Sequence, residues 1–200
     1  MSNHYYSEKP TVESDRKTWS FTLKGNTFTF HSDRGVFSKN EVDFGSRLLI
    51  DAFEIPEVSG DVLDVGCGYG PIGLTIAKHY GRTVDMIDVN ERAVELSKDN
   101  AKVNGISNVS VFQSDLFEKI DEEKSYAVIL TNPPIRAGKT VVHQIFELSE
   151  KHLVQSGELW VVIQKKQGAP SAIEKLNELF SDVEVVEKKK GYYIIKAKKC

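Results

Sequence analysis

The sequence predicts an α/β fold. It is a doubly wound, mostly parallel seven-stranded sheet closed by a C-terminal antiparallel hairpin, with a separate β-hairpin at the N-terminal end. Three observations lead there. From Asp61 onward, short apolar runs alternate with amphipathic helical stretches, the pattern of a parallel sheet covered on both faces. The last two apolar runs are separated by Lys188-Lys189-Lys190-Gly191, and so short a turn joins only antiparallel strands. Upstream, Trp19, Phe21 and Leu23 alternate with polar residues, and Phe28 and Phe30 do so beyond Gly25-Asn26, which reads as a β-hairpin around a Gly-Asn turn.

The elements follow in order. Residues 1–17 are polar and read as a loose arm. Residues 18–56 hold the hairpin, a loop with Gly35-Val36-Phe37-Ser38, and a helix with Leu48, Leu49, Ala52 and Phe53 on its apolar face, ended by Pro56. This segment is expected to pack on the domain formed by residues 57–200. There the first strand is Val62-Leu63-Asp64-Val65, and Ile72, Ile76 and Tyr80 line one face of the helix behind it. Residues 83–88 give the second strand. A helix from 91 to about 104 is stopped by Gly105, and residues 109–112 give the third strand. Residues 126–130 are the most apolar run and belong at the centre of the sheet. A helix with Val141, Val142, Ile145 and Leu148, a fifth strand at 159–163 and a helix with Ala172, Ile173, Leu176, Leu179 and Phe180 come next. Strands at 183–186 and 192–197 close the sheet.

With 200 residues, 40% hydrophobic and 28% charged, the chain is expected to fold as one domain with a normal core. Two Cys, one of them the last residue, build no disulfide framework and suit a reducing compartment. The polar start carries no apolar signal core, and the apolar runs are too short to span a membrane, so a cytoplasmic protein with no membrane partner is expected. The net charge of −3 argues against a nucleic-acid binder that uses its whole surface, and leaves room for a local basic patch. The five His and Cys67 show no metal-ligand spacing, so no metal is expected. His143 and His152 read as structural, and no Ser-His-Asp or paired-carboxylate arrangement stands out.

The first strand runs into Asp64-Val65-Gly66-Cys67-Gly68-Tyr69-Gly70-Pro71-Ile72-Gly73. Glycines let the backbone turn tightly and approach a ligand closely, in front of the free N–H groups of a helix start. Gly68-x-Gly70-x-x-Gly73 fits a dinucleotide fingerprint, with Asp88 about 20 residues on, which keeps a nicotinamide oxidoreductase as a rival. Its glycines come two residues late after the strand, and starting from Gly66 puts Pro71 at the last glycine position. Asp64-x-Gly66-x-Gly68-x-Gly70 instead matches the nucleoside turn of class I methyltransferases, Rossmann-like enzymes that use S-adenosylmethionine. A carboxylate at the strand end suits a cofactor with an ammonium group and no pyrophosphate. Pro71 fits the first helical turn. Asp88 with Val89 ends the second strand, where a carboxylate can accept both ribose hydroxyls. Ser114-Asp115-Leu116 ends the third, where Asp115 could accept the adenine amino group.

Thr131-Asn132-Pro133-Pro134-Ile135 directly follows the central strand. Two prolines would break that strand, but at its end they freeze a loop. An exocyclic amine on a base is a poor nucleophile because its lone pair is delocalised into the ring. Asn132 can accept one amine hydrogen and the Pro133 carbonyl another, aiming the lone pair at a sulfonium methyl. Positioning then carries the catalysis without a covalent intermediate.

Together with Asp88-Val89-Asn90 and Ser114-Asp115-Leu116-Phe117, the glycine turn and Asn132-Pro133-Pro134-Ile135-Arg136-Ala137-Gly138-Lys139 resemble the RsmC family. Those are the guanine-N2 methyltransferases of small-subunit ribosomal RNA, and the likeness is closest to the short single-domain members of the YbxB type. It runs from Gly35-Val36-Phe37-Ser38 through Gln164-Lys165-Lys166-Gln167-Gly168-Ala169 to the C-terminus. The resemblance implies S-adenosylmethionine in the crevice, with Asp64, Gly66, Cys67, Gly68, Gly70, Asp88, Val89, Ser114, Asp115, Leu116 and Asn132 around it. It places Asn132, Pro133 and Pro134 at the target amine, and implies ribosomal RNA or the small subunit as partner. Long members carry a second, degenerate copy of the domain that helps hold RNA, for which 200 residues leave no room. Ile135 stands where an aromatic often stacks on a flipped base, and Phe37 is a candidate to supply that face. Arg136, Lys139 and Lys166, at carboxyl ends of strands, are candidates for phosphate contacts. Lys188, Lys189 and Lys190 read as a solvated face. Adenine N6 and a protein glutamine amide are alternative acceptors for the same logic. A noncatalytic S-adenosylmethionine-binding module in ribosomal RNA assembly is the alternative outside catalysis.

Overall fold

The computed structural model describes residues 8–36 and 40–200. Strands β1 (Lys17–Leu23) and β2 (Asn26–Ser32) pair antiparallel as a hairpin. Its turn is Lys24-Gly25 rather than Gly25-Asn26: Leu23 faces Asn26 across the ladder, and Lys24 and Gly25 carry the two positive φ angles, 46° and 74°. A two-residue hairpin loop needs left-handed backbone at both positions, and Asn26 instead closes the turn by donating from Nδ2 to the Lys24 carbonyl at 3.1 Å.

Helix α1 (Phe44–Ala52) follows, capped by Asp43, which accepts from the Ser46 N–H at 3.0 Å. Then come β3 (Val62–Val65), α2 (Pro71–Tyr80), β4 (Val84–Asp88), α3 (Glu91–Val103), β5 (Val109–Gln113) and β6 (Tyr126–Thr131). The chain ends with α4 (Lys139–His152), β7 (Leu153–Gln164), α5 (Ala169–Leu179), β8 (Asp182–Lys189) and β9 (Tyr192–Lys198). The seven-stranded sheet has the order β5-β4-β3-β6-β7-β9-β8. Strands β3 to β7 pair parallel, and β9 pairs antiparallel with both β7 and β8. The six residues of β6 are all buried at the middle of the sheet, as its unbroken apolar run demands. The last turn contracts to Lys190-Gly191, with φ 49° and 78°, so Lys188 and Lys189 belong to β8.

The sheet separates two cores. Phe28, Phe30, Leu49, Phe53, Leu74 and Leu96 pack on one face against alternate strand residues such as Val62, Met86 and Leu130. On the other face α4 and α5 bury Ile145, Phe146 and Leu176 against Leu63, Ile129 and Val161. The N-terminal hairpin and α1 are thus part of a common core with the sheet: Phe53 meets Trp160 edge-on at 5.1 Å and Tyr80 at 5.6 Å.

The arm expected to be loose is fastened from Glu8 on. The Glu8 carbonyl accepts from the Glu91 N–H at 2.9 Å, and the Val12 carbonyl from Arg92 Nη2 at 2.9 Å. Ser14 donates to Asp33 at 2.7 Å, and Asp33 is 4% exposed. Polar composition suggested disorder, but Asp33 and Arg92 give these polar groups fixed partners. Among the described residues no helix is long and apolar enough to cross a membrane.

Candidate active site

The order of the sheet reverses between β3 and β6, and ligands of such sheets bind beyond the strand ends at that point. A cavity of about 680 Å³ opens there. That is a size for a nucleoside-bearing cofactor with room at one end for a reacting group. Thr131 Oγ1 donates to the Val65 carbonyl at 3.0 Å and ties the two strand ends together beneath it.

Gly66, Cys67 and Gly68 form one wall. The backbone is left-handed at Gly66 and Gly68, φ 73° and 57°, and a Cβ at either position would meet nothing within 4 Å. Those two glycines therefore serve a conformation and leave their faces open to the cavity. Gly70, with φ 107°, serves both conformation and packing, and Gly73 packing alone: a Cβ at Gly73 would lie 2.8 Å from Met86 and 2.9 Å from the Asp64 carboxylate. Helix α3 braces the turn, with Ser97 donating to the Gly68 carbonyl and Asn100 to the Tyr69 carbonyl, both at 2.7 Å.

Asp88 lines the cavity at the end of β4. It accepts from the Gly68 and Asn90 N–H groups, each at 2.9 Å, and burial raises its pKa to about 6. Asp64 is buried behind the glycine turn instead of on the wall. Its Oδ2 accepts from the Gly73 N–H at 2.8 Å, while Oδ1 has no partner among the described residues. Burial first, then the nearby charge of Asp88, raise its pKa to about 7 against the pull of the Gly73 N–H. Val89, Ser114 and Leu116 also line the cavity, whereas Asp115 is exposed and off the wall.

Asn132, Pro133, Pro134, Ile135 and Arg136 form the facing wall. The Pro134 and Ile135 carbonyls are engaged by the Ala137 and Gly138 N–H groups at 2.9 and 3.1 Å. The Pro133 carbonyl takes part in neither bond of that turn. Asn132 Nδ2 donates to Asp43 Oδ2 at 3.2 Å and to Ser46 Oγ at 3.1 Å. A carboxylate oxygen has no hydrogen to give, so the atom facing Asp43 is the amide nitrogen and Oδ1 is the end left to accept. Asp43 and Ser46 themselves line the cavity. Neither was expected at the site. Their one sequence signal, an acidic residue three before a serine at a helix start, reads as a cap.

Lys139 and Lys166 are exposed and lie off the cavity wall, beside the lining residues Arg136 and Gln167. The Lys165 N–H donates to the Gly191 carbonyl at 2.8 Å, which sets the β8–β9 turn next to residues 165–167. Lys190 sits over the Phe44 ring at 4.9 Å and Tyr192 lines the cavity, so the lysine turn stands at its rim. Phe37 lies outside the described residues; its neighbours Gly35 and Val36 line the cavity.

A family model, the methyltransferase small domain, matches residues 27–196. The chain belongs to the methyltransferase small-domain family. Within it, the chain is similar to the uncharacterized protein YbxB of Bacillus subtilis (strain 168), 71% identical over 200 residues and the full length of both. Ribosomal RNA small subunit methyltransferase C of Vibrio parahaemolyticus is 34% identical over 188 residues, 92% of this chain and 53% of that one. A solved structure of the Thermus thermophilus 16S rRNA N2 G1207 methyltransferase, RsmC, bound to AdoMet and guanosine, superposes with a TM-score of 0.85. It is 26% identical and covers 96% of this chain and 52% of that one. The chain thus spans about half the length of these ribosomal RNA methyltransferases. The family's methyl donor is S-adenosylmethionine, and the donor set here suits it: a half-buried acceptor at Asp88, an open glycine cradle and an acid behind it. Family membership removes the nicotinamide oxidoreductase reading.

Proposed function

We propose that this protein transfers a methyl group from S-adenosylmethionine to an exocyclic amine, guanine N2 of 16S ribosomal RNA. The observation that carries the amine is Asn132, held by Asp43 and Ser46 so that its Oδ1 is the end left to accept, beside the Pro133 carbonyl, which accepts no backbone bond of the adjoining turn. The likeness to an RsmC bound to guanosine supports the base, and the lysine-bearing rim supports a nucleic-acid acceptor.

In this reading Asp88 holds the ribose hydroxyls, Gly66 and Gly68 let the cofactor approach the backbone, and Ser114, Leu116 and Val89 enclose the base. S-adenosylmethionine supplies an electrophilic methyl on a positively charged sulfur. Asn132 Oδ1 and the Pro133 carbonyl accept the two amine hydrogens and turn the nitrogen lone pair out of conjugation with the ring. Holding that geometry substitutes for acid–base chemistry. Neither acceptor is a base, so the surplus proton leaves to solvent once charge has developed on the amine. Pro133 and Pro134 keep the loop from relaxing, since neither has an N–H to rebond.

A guanine amine inside a duplex is shielded, so the target guanine is unpaired or flipped out. Arg136, Lys139, Lys166 and the lysine turn hold the flanking phosphates. A partly assembled small subunit presents the target preorganised, which offsets the small RNA-binding surface. The test is methyl transfer to naked 16S RNA, small subunits and large subunits, read as N2-methylguanosine. Methylation of small-subunit RNA supports the reading. Methylation only of a protein, of adenine or of a small molecule overturns it, and cofactor binding without transfer to any of these makes the protein a noncatalytic module.

A further inference from the structure

We propose that Asp43 and Ser46 are positioning residues that lock Asn132 as an acceptor, so that the site takes a group with two N–H hydrogens to donate. This rests on the methyl-transfer reading above and extends it to residues outside every motif in the chain.

The two ends of an asparagine amide are nearly the same size, and a half-turn exchanges them. A free Asn132 could present its NH₂ group to the cavity, where it would oppose an incoming amine. Here both amide hydrogens are placed, one on Asp43 Oδ2 at 3.2 Å and one on Ser46 Oγ at 3.1 Å. A flip would set an amide oxygen against the Asp43 carboxylate, which can only accept; the Ser46 hydroxyl could donate to either arrangement, so Asp43 is the residue that fixes the direction. Asp43 is fixed in turn, because the same Oδ2 caps α1 through the Ser46 N–H at 3.0 Å. Ser46 is 3% exposed. The helix packs closely on β9: Phe44 and Tyr192 meet with ring centroids at 5.4 Å, and only a glycine fits at position 45, where a Cβ would stand 2.9 Å from the Tyr192 ring. The consequence is chemical. Asn132 Oδ1 and the Pro133 carbonyl make a pair that only accepts. A primary amine satisfies both, a hydroxyl only one, and a bare ring nitrogen or a carbonyl neither.

Three variants separate this role from helix capping. Asp43→Ser keeps a good N-cap but is too short to reach Asn132. Asp43→Asn keeps an acceptor oxygen for both bonds. Ser46→Ala removes one bond and leaves the helix. In ¹H–¹⁵N spectra, with the Asn132 side-chain signals assigned by their loss in Asn132→Ala, the wild-type amide hydrogens should exchange slowly with water. Asp43→Ser should speed that exchange at least tenfold at an unchanged melting temperature, and Asp43→Asn should restore it.

For transfer to small ribosomal subunits from cells lacking the protein, Asp43→Ser should lower kcat about 10–100-fold, with cofactor affinity within about twofold. In an Asn132→Ala background the same change should cost nothing more, because the two residues act as a unit. An Asn132 amide indifferent to Asp43→Ser overturns the proposal, as does a freed amide with kcat intact, or full additivity with Asn132→Ala. If the wild type methylates no RNA, the proposed function fails; the amide spectrum then decides the lock by itself, held hydrogens supporting it and free ones ending it.

Discussion

The two walls of the cavity are built by opposite means. On the glycine side, the site is shaped mainly by backbone: left-handed Gly66 and Gly68, the Gly73 N–H on Asp64 and the Gly68 N–H on Asp88, with Ser97 and Asn100 bracing the turn through its carbonyls. On the Asn-Pro-Pro side, the decisive side chain is held by residues 86 and 89 positions earlier in the chain. One wall is a conformation, the other a remote hydrogen-bond partnership. The difference separates holding from reacting. In the proposed function, backbone donors and the half-buried Asp88 carboxylate hold a constant ligand, whereas orienting a reactive amine needs one acceptor fixed in direction.

If that division holds, variants on the two walls fail in different ways. The largest effect is expected at Asn132→Ala: transfer should fall at least about 100-fold while cofactor affinity stays within a few-fold. Calorimetry and single-turnover transfer read the two quantities separately, and near-normal transfer would reduce Asn132 to a loop residue. Asp88→Ala is the mirror case. Losing a charge-assisted acceptor costs roughly 1.5–3 kcal/mol per bond, so affinity for S-adenosylmethionine should drop about tenfold or more while transfer at saturation survives. Unchanged affinity would remove the ribose assignment.

The acids behind the glycine wall sharpen the comparison through pH. Asp64 and Asp88 have pKa values raised from 3.8 to about 7 and about 6, because burial penalises their charged forms. The folded protein therefore holds these protons more tightly than the unfolded chain does. Their stabilising contribution is full below about pH 4 and is lost as pH rises through 6 to 7. Asp64→Asn should raise the melting temperature of the cofactor-free protein by a few degrees at pH 8 and leave it unchanged at pH 4. A gain of equal size at both pH values would contradict the assigned cause. Cofactor affinity should weaken below about pH 6, where Asp88 takes up its proton. The smallest effects are expected at the rim. Lys166→Ala and Arg136→Ala should each weaken RNA binding a few-fold and flatten its salt slope by about one, with cofactor affinity untouched.

What the sequence revealed follows the same division. Apolar runs between helical stretches locate the strands of the main sheet, most plainly β3 and β6, whose residues are all buried and leave no other pattern. The glycine turn and Asn132-Pro133-Pro134 were readable because positive φ and missing N–H groups restrict residue choice locally. The hairpin turn was misplaced by one residue, since Lys24 gives no sign that it adopts left-handed backbone. Asp64 was expected beside the cofactor, but its carboxylate turns back to the Gly73 N–H, a choice the spacing leaves open. Asp115 followed a strand as Asp88 did, yet its side chain is exposed. Asp43 was hidden for the opposite reason: capping explains an acid there fully, and its second bond crosses to another loop.

The central claim is that the acceptor is the exocyclic amine of a guanine in small-subunit ribosomal RNA. Mass spectrometry of 16S RNA nucleosides tests it most directly, comparing cells with the protein, without it, and with Asn132→Ala in its place. The account predicts one N2-methylguanosine present in the first and missing from the other two. An unchanged N2-methylguanosine content across all three, with a methyl group missing elsewhere, would contradict it.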